Sequence, residues 1–235
     1  MNELQLLLIT ALSLGFIHTL LGPDHYLPFI VLSRARKWSL TKTLWITAFS
    51  GVGHIAGSVI LGIAGVALGI SLSKLELIEA TRGNLVAWML IVFGLFYTVY
   101  GIFQYLKKGH HLHLPKFLLP KSIRKYHHLP TTEADEKKED TTKLTPWILF
   151  LIFVFGPCEV LIPLLIFPAS EHNWFGVFAV SALFGIATVA TMLLTVFVGY
   201  TGTSLIRFKQ VEKYMHMIAG CVILISGIGI RFMGW

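Results

Sequence analysis

Gly22-Pro23-Asp24-His25 closes the first apolar stretch of the chain, and Gly156-Pro157-Cys158-Glu159 interrupts a later one, at an offset of 134 residues. The same offset carries Gly51 onto Gly185, His54 onto Thr188 and Ala56 onto Ala190 without a gap. Proline has no N–H and its ring collides with the carbonyl four residues earlier. A helix reaching either tetrad must therefore break or kink, in the first copy near Thr19 to Pro23. At membrane depth such a break survives only where protein or a water-filled cavity meets the freed backbone groups. Around the tetrads lie six apolar runs, at about 4–21, 43–72, 84–106, 146–169, 173–201 and 213–234, each long enough to span a bilayer. Three spans per half make the second half enter from the opposite side. The expected fold is an all-α polytopic membrane protein of six transmembrane helices, two inverted three-helix repeats with Gly-Pro-broken helices 1 and 4. Its divisions are 1–106 for the first repeat, 107–145 for a charged, His-rich loop and 146–235 for the second repeat.

Composition points the same way. Of 235 residues (26.3 kDa), 55% are hydrophobic and 13% charged, with a mean hydropathy of +0.73, whereas a soluble domain has about 25% charged residues. This excludes an ordinary cytosolic enzyme or a nucleic-acid binder. The net charge of +7 reads as membrane topology instead of polyanion binding. Sixteen of the 19 Lys and Arg residues follow helix 1 (Arg34, Arg36, Lys37, Lys42), lie in the 107–145 loop, or follow helix 5 (Arg207, Lys209, Lys213). Lys74, Arg82 and Arg231 lie on the other side, so the positive-inside rule puts the loop in the cytoplasm and both termini outside. Trp38, Trp45, Trp88, Trp147, Trp174 and Trp235 lie near expected helix ends, as interfacial anchors do. The Met1-Asn2-Glu3 start lacks the basic segment of a signal peptide, so the first apolar run is expected to be retained, in an integral protein of a prokaryotic plasma membrane. Two cysteines without a C-x-x-C pair give no disulfide scaffold.

Ionisable side chains inside spans cost about 2.5–3.5 kcal/mol each on insertion scales and by default mark a pathway or site. The chain has few: His18, Asp24 and His25 around helix 1, His54 in helix 2, and Glu159 in helix 4 with Cys158 beside it. His18 and His25, seven residues apart, share a helical face. Imidazole suits Zn, Cu, Fe and Ni, carboxylate suits harder ions and a thiolate adds softness. The set therefore points to a transported divalent transition metal, with neutral imidazoles as ligands and Asp24 and Glu159 offsetting its charge. Competition between metal and protons makes coupling to a proton gradient an expectation. Blander readings stand beside these: interhelical hydrogen bonding for His18 and His54, an interfacial cap for Asp24 and His25, simple pairing for Glu159, a packed thiol for Cys158. Thr188, Thr191 and Thr195 share a face of helix 5, where their hydroxyls serve an ion or bond back to their own helix. Gly51, Gly57, Gly62 and Gly65 read as close helix packing. In the loop, His110, His111, His113, His127 and His128 precede the acidic run Glu133 to Asp140 and either capture metal or belong to a solvated linker. Glu171 and His172 guard the outer mouth or form a plain turn.

His18-Thr19-Leu20-Leu21-Gly22-Pro23-Asp24-His25 and Gly53-His54 resemble the nickel/cobalt transporter (NiCoT) family and its relatives, the RcnA-type nickel/cobalt efflux proteins and the UreH-like membrane proteins. The resemblance implies a nickel/cobalt permease, not an enzyme, with no permanently bound cofactor and with His18, Asp24, His25 and His54 along the ion path. The efflux relatives have a His-rich loop, which tilts the direction toward export. Five residues separate His18 from Asp24 where the NiCoT pattern has four, Gly-Pro is inserted, and six helices are expected instead of eight, so metal and direction stay open. Gly156-Pro157-Cys158, followed by Pro163, resembles instead the DsbD/CcdA thiol-transport membrane proteins, also two inverted three-helix halves, which exchange electrons through one cysteine per half. Here Asp24 stands at the first-half equivalent of Cys158, and Cys221 could replace the missing thiol only with Cα atoms within about 7 Å. A likeness to TauE/SafE-type exporters implies a small oxyanion such as sulfite or a sulfonate as cargo. Broken-helix N-termini favour anions, and Asp24 and Glu159 disfavour them. The expected partners are the lipid bilayer and the transition-metal ion, with a second copy of the chain or a metal chaperone, and no nucleic acid.

Overall fold

The structure, a computed structural model, describes residues 3–109, 132–158, 160–205 and 214–233. Regular structure among them is entirely helical: α1 (Glu3–Leu21), one 3₁₀ turn (Pro23–His25), α2 (Leu27–Ala35), α3 (Leu40–Ala67), α4 (Leu72–Gly109), α5 (Thr132–Phe155), α6 (Leu161–Ser170), α7 (Trp174–Leu205) and α8 (Met215–Met233). Five of these are long and apolar enough to cross a membrane, namely α1, α3, α4, α7 and α8. Large apolar side chains stay exposed along them, among them Phe16, Ile60, Phe96, Phe178 and Phe232, on the surface that lipid covers. The chain is an integral membrane protein in contact with the bilayer.

The run at 146–169 is not one span. Leu144–Phe155 and Leu161–Ser170 are two short apolar helices, because Pro157 has no N–H to give to Phe153 and the hydrogen-bond ladder stops there. At about 1.5 Å per residue, the 10-residue α6 reaches only half of a roughly 30 Å hydrocarbon core. Other boundaries also differ from the sequence expectation. The nine-residue α2 follows the first break, with Phe29, Ile30 and Leu32 buried, where the apolar runs suggest a connection. α4 starts at Leu72 instead of near 84 and takes in Lys74, Glu76, Glu79 and Arg82. Arg82 is thus a part-buried partner of Glu79 one helical turn away, and no surface loop charge. The 107–145 segment is helical over 107–109 and 132–145, which includes Glu133 to Asp140. Trp38 belongs to the core, not to an interface, and its carbonyl accepts from the Tyr200 hydroxyl at 3.0 Å. Trp45, Trp88, Trp147 and Trp174 are exposed, and Trp235 lies outside the described residues.

Two apolar clusters form the interior, one around Phe29, Leu149, Ile152, Met192 and Ile223, the other around Ala11, Ile55, Leu161, Leu165 and Phe184. α1 lies along α7, and α4 along α8. Small residues let the second pair approach backbone to backbone: a Cβ on Gly94 would sit 2.5 Å from Leu224 N, and one on Gly101 2.5 Å from Met217 N. On α3, Gly57 approaches the Val154 carbonyl, while Gly51, Gly62 and Gly65 make room for the side chains of Met192, Leu165 and Leu75.

Candidate functional site

His18 lies in the last turn of α1, which runs to Leu21. Gly22 is extended (φ −85°, ψ 93°), and the 3₁₀ turn closes through His25 N–H to Gly22 O (3.1 Å) and Tyr26 N–H to Pro23 O (3.3 Å). The turn folds His25 back beside His18, with ring centroids 4.8 Å apart at 80°. A Cβ on Gly22 would lie 2.5 Å from His25 Nδ1 and 3.0 Å from Asp24 Oδ1, so this fold-back needs glycine. From α3, His54 completes the group, its ring 5.2 Å from that of His25 at 88°. One nitrogen from each of His18, His25 and His54 lies within 4.8 Å of the others, close enough to share a metal ion.

Among the described residues, His18 Nε2, both ring nitrogens of His25, His54 Nε2 and Asp24 Oδ1 are buried without a hydrogen-bond partner. Asp24 Oδ1 stands 3.3 Å from His25 Nδ1, an ion-pair contact out of line for a hydrogen bond. Buried polar atoms are nearly always paired. Five such atoms on four adjoining residues form a polar cluster whose chemistry suits a polar or cationic ligand. The four side chains line a cavity of about 770 Å³ with Gly22, Pro23, Asn84 and Gly156.

The second break supports the group from behind. Without an N–H on Pro157, the Phe153 carbonyl is free to accept from His54 Nδ1–H at 3.3 Å, beside Gly156 N–H at 2.9 Å. A carbonyl can only accept, so the proton sits on Nδ1 and the lone pair on Nε2, the nitrogen left without a partner. A backbone carbonyl behind the ring is how metal-binding histidines commonly have their tautomer fixed. The Arg82 guanidinium donates to Val154 O and Gly156 O, 3.2 Å each, and to the Glu79 carboxylate. Glu79 accepts from Cys158 N–H (3.0 Å) and from the Ser58 hydroxyl (3.4 Å), and is 1% exposed.

Of the residues singled out by sequence, His18, Asp24, His25 and His54 come together. Cys158 does not join them: it is buried in the cluster of Ile55, Leu161 and Leu164, because its N–H is drawn to Glu79 and Ser58. Glu159 and the loop residues His110, His111, His113, His127 and His128 lie outside the described residues. Thr188 is buried with no hydrogen-bond partner for its hydroxyl among the described residues, while Thr191 and Thr195 bond back to the carbonyls of Ala187 (2.7 Å) and Thr191 (2.8 Å). Glu171 and His172 form the turn after α6, His172 at φ 55°. Sequence reading missed Glu79, Arg82 and Ser58. The available signal was an acid and a base three residues apart, on one helical face, just before an apolar run. The two thiols are not bonded to each other. Cys221 Sγ is 4.0 Å from Thr98 Oγ1 while Cys158 N–H reaches Glu79, and those α4 residues, nineteen apart, are separated by about 28 Å of helix.

A sequence model of the cytochrome c biogenesis protein transmembrane region matches residues 27–229. The match takes in His54, the second break and both cysteines, and begins two residues after His25. No curated protein and no solved structure matches the chain. Among the resemblances read from sequence, the match supports the thiol-transport membrane proteins and not the nickel/cobalt transporters. With most of its length covered, the chain belongs to the family of the cytochrome c biogenesis protein transmembrane region.

Proposed function

We propose that the protein is a permease that takes a divalent transition-metal ion as cargo at His18, His25 and His54, with Asp24 supplying adjacent negative charge. The observation that carries this reading is the trio of adjoining imidazoles, each with a buried nitrogen that has no hydrogen-bond partner among the described residues. Neutral imidazole favours first-row transition metals over alkali and alkaline-earth ions. From the resemblance of the first-half motif, nickel or cobalt is the expected cargo and export the expected direction. No catalysed reaction and no resident cofactor enter this reading. An inverted repeat fits it: shifted by 134, α2 (27–35) falls on α6 (161–170) and α3 on α7. Under that shift the pairing of α1 with α7 becomes that of α5 with α3, and α2 with α7 becomes α6 with α3, all four of which occur. Transporters of this design bind cargo between the halves, at discontinuous helices.

Family membership favours a second reading, thiol–disulfide electron transfer, and Cys158 at the second break would be its reactive group. With Cys221 out of reach along α4, the resolving thiol would have to come from another molecule. An oxyanion cargo has less support, since among the described residues the cavity is lined by Asp24 and by no lysine or arginine.

Proteoliposomes with wild type, a His18→Ala, His25→Ala double variant or Cys158→Ser separate these readings when offered Ni²⁺, Co²⁺, Zn²⁺, Mn²⁺ and sulfite. Metal flux that disappears in the double variant and persists in Cys158→Ser is expected. Sulfite flux alone, or metal flux indifferent to both histidines, would contradict the proposal.

A further inference from the structure

Breaking a helix between Phe155 and Leu161 strands backbone groups on both sides, and α4 answers them with one pair of side chains. Arg82 serves the carbonyls of Val154 and Gly156, Glu79 serves Cys158 N–H, and the two are joined to each other. Gly57 of α3 makes room: a Cβ there would lie 2.7 Å from Val154 O and 3.0 Å from Arg82 Nη2. A buried ion pair is seldom the most stabilising way to fill a core, and apolar replacements often do as well or better. What an apolar pair could not do is hold these carbonyls and this N–H in place. Val160 and Ala80 line both the cavity of the histidines and a second one of about 410 Å³ that includes Glu76, Glu79 and Ile162.

We infer that Glu79 and Arg82 are positioning residues, a clamp from α4 that fixes the second break and, through the Phe153 carbonyl, keeps His54 Nε2 available to the ion. The inference rests on the metal-binding reading above. Val154 and Gly156 follow Phe153 within three residues, and Gly156 N–H bonds its carbonyl at 2.9 Å, so releasing them loosens the carbonyl that sets the His54 tautomer. Arginine suits the task because its planar fork reaches a carboxylate and two carbonyls at once, which a lysine ammonium does not.

Two readouts test this in full-length protein: Ni²⁺ affinity, and the rate at which N-ethylmaleimide alkylates Cys158 in a Cys221→Ala background. Arg82→Gln is expected to weaken Ni²⁺ binding about 10-fold or more, the range for losing a group behind a metal ligand, and to speed alkylation of the otherwise buried Cys158. Arg82→Lys should move both readouts less. The exchange Glu79→Arg with Arg82→Glu restores opposite charges but sets a carboxylate against two carbonyls, and should not rescue. Alkylation of Cys221, followed in a Cys158→Ala background, should stay at its wild-type rate. Unchanged affinity and alkylation in Arg82→Gln, rescue by the exchange, or equal acceleration at Cys221 would overturn the clamp. Should the wild type bind no Ni²⁺, the metal reading fails, and alkylation alone decides the clamp: acceleration confined to Cys158 keeps it, and no acceleration ends it.

Discussion

Replacing His25 by alanine is expected to weaken transition-metal binding by about 100-fold or more while leaving the metal-free protein about as stable as the wild type. Loss of a group that merely supports a metal ligand costs about 10–100-fold, and His25 stands between the other two imidazoles, 4.8 Å and 5.2 Å from their ring centroids. The stability half of the prediction follows from the orphaned nitrogens. A buried polar atom without a hydrogen bond gives back little of its desolvation cost; among the described residues His25 Nε2 has no hydrogen-bond partner and Nδ1 has only the Asp24 contact at 3.3 Å. Removing them therefore offsets the packing lost with the ring. His54→Ala should differ, because it also abandons the bond from Nδ1 to the Phe153 carbonyl, and should lower stability along with affinity. Calorimetric titration with Ni²⁺ and thermal unfolding in detergent would check both statements. A His25→Ala protein that binds metal normally would remove the main support for the site.

The largest stability effect is expected at the contact of α4 with α8. A Cβ on Gly94 would lie 2.5 Å from Leu224 N, 2.7 Å from Leu224 Cα and 3.0 Å from Gly220 O. All three are backbone atoms of a helix, which cannot step aside by changing a rotamer. Gly94→Val must push the helices apart, and we expect a loss of about 3 kcal/mol, the upper end of ordinary overpacking. Gly202→Ala on α7 is the control. Nothing lies within 4 Å of the added carbon there, so the change should be neutral or slightly stabilising through helix propensity. Equal melting temperatures for Gly94→Val and wild type would mean that the two helices do not touch as described.

The part of the site that sequence made legible is the part encoded by local chemistry. Histidines and an aspartate in apolar surroundings are conspicuous because burial costs them free energy, and Gly22-Pro23 and Gly156-Pro157 announce breaks because proline cannot donate. That is why His18, Asp24, His25 and His54 could be named before any coordinates, and why α1 and α5 end where they do. The rest depends on distant partners. Lys74, Glu76, Glu79 and Arg82 resemble a polar connection until Arg82 is seen to need the carbonyls of Val154 and Gly156, more than seventy residues later. Cys158 has the right chemistry for a ligand but the wrong surroundings, since its backbone is drawn to Glu79 and Ser58 and its side chain to aliphatic neighbours. α2 is hard to see in the sequence because Tyr26 to Arg36 mixes apolar and basic residues and is too short for a span, although its start lies 134 residues before that of α6.

X-ray absorption at the nickel edge of the purified, Ni²⁺-loaded protein tests the central claim most directly. Three adjoining histidines predict a first coordination sphere with three imidazole nitrogens, which falls apart in the His18→Ala, His25→Ala variant. A sphere of oxygens alone, a sulfur ligand from Cys158, or no metal retained by the wild type would contradict it.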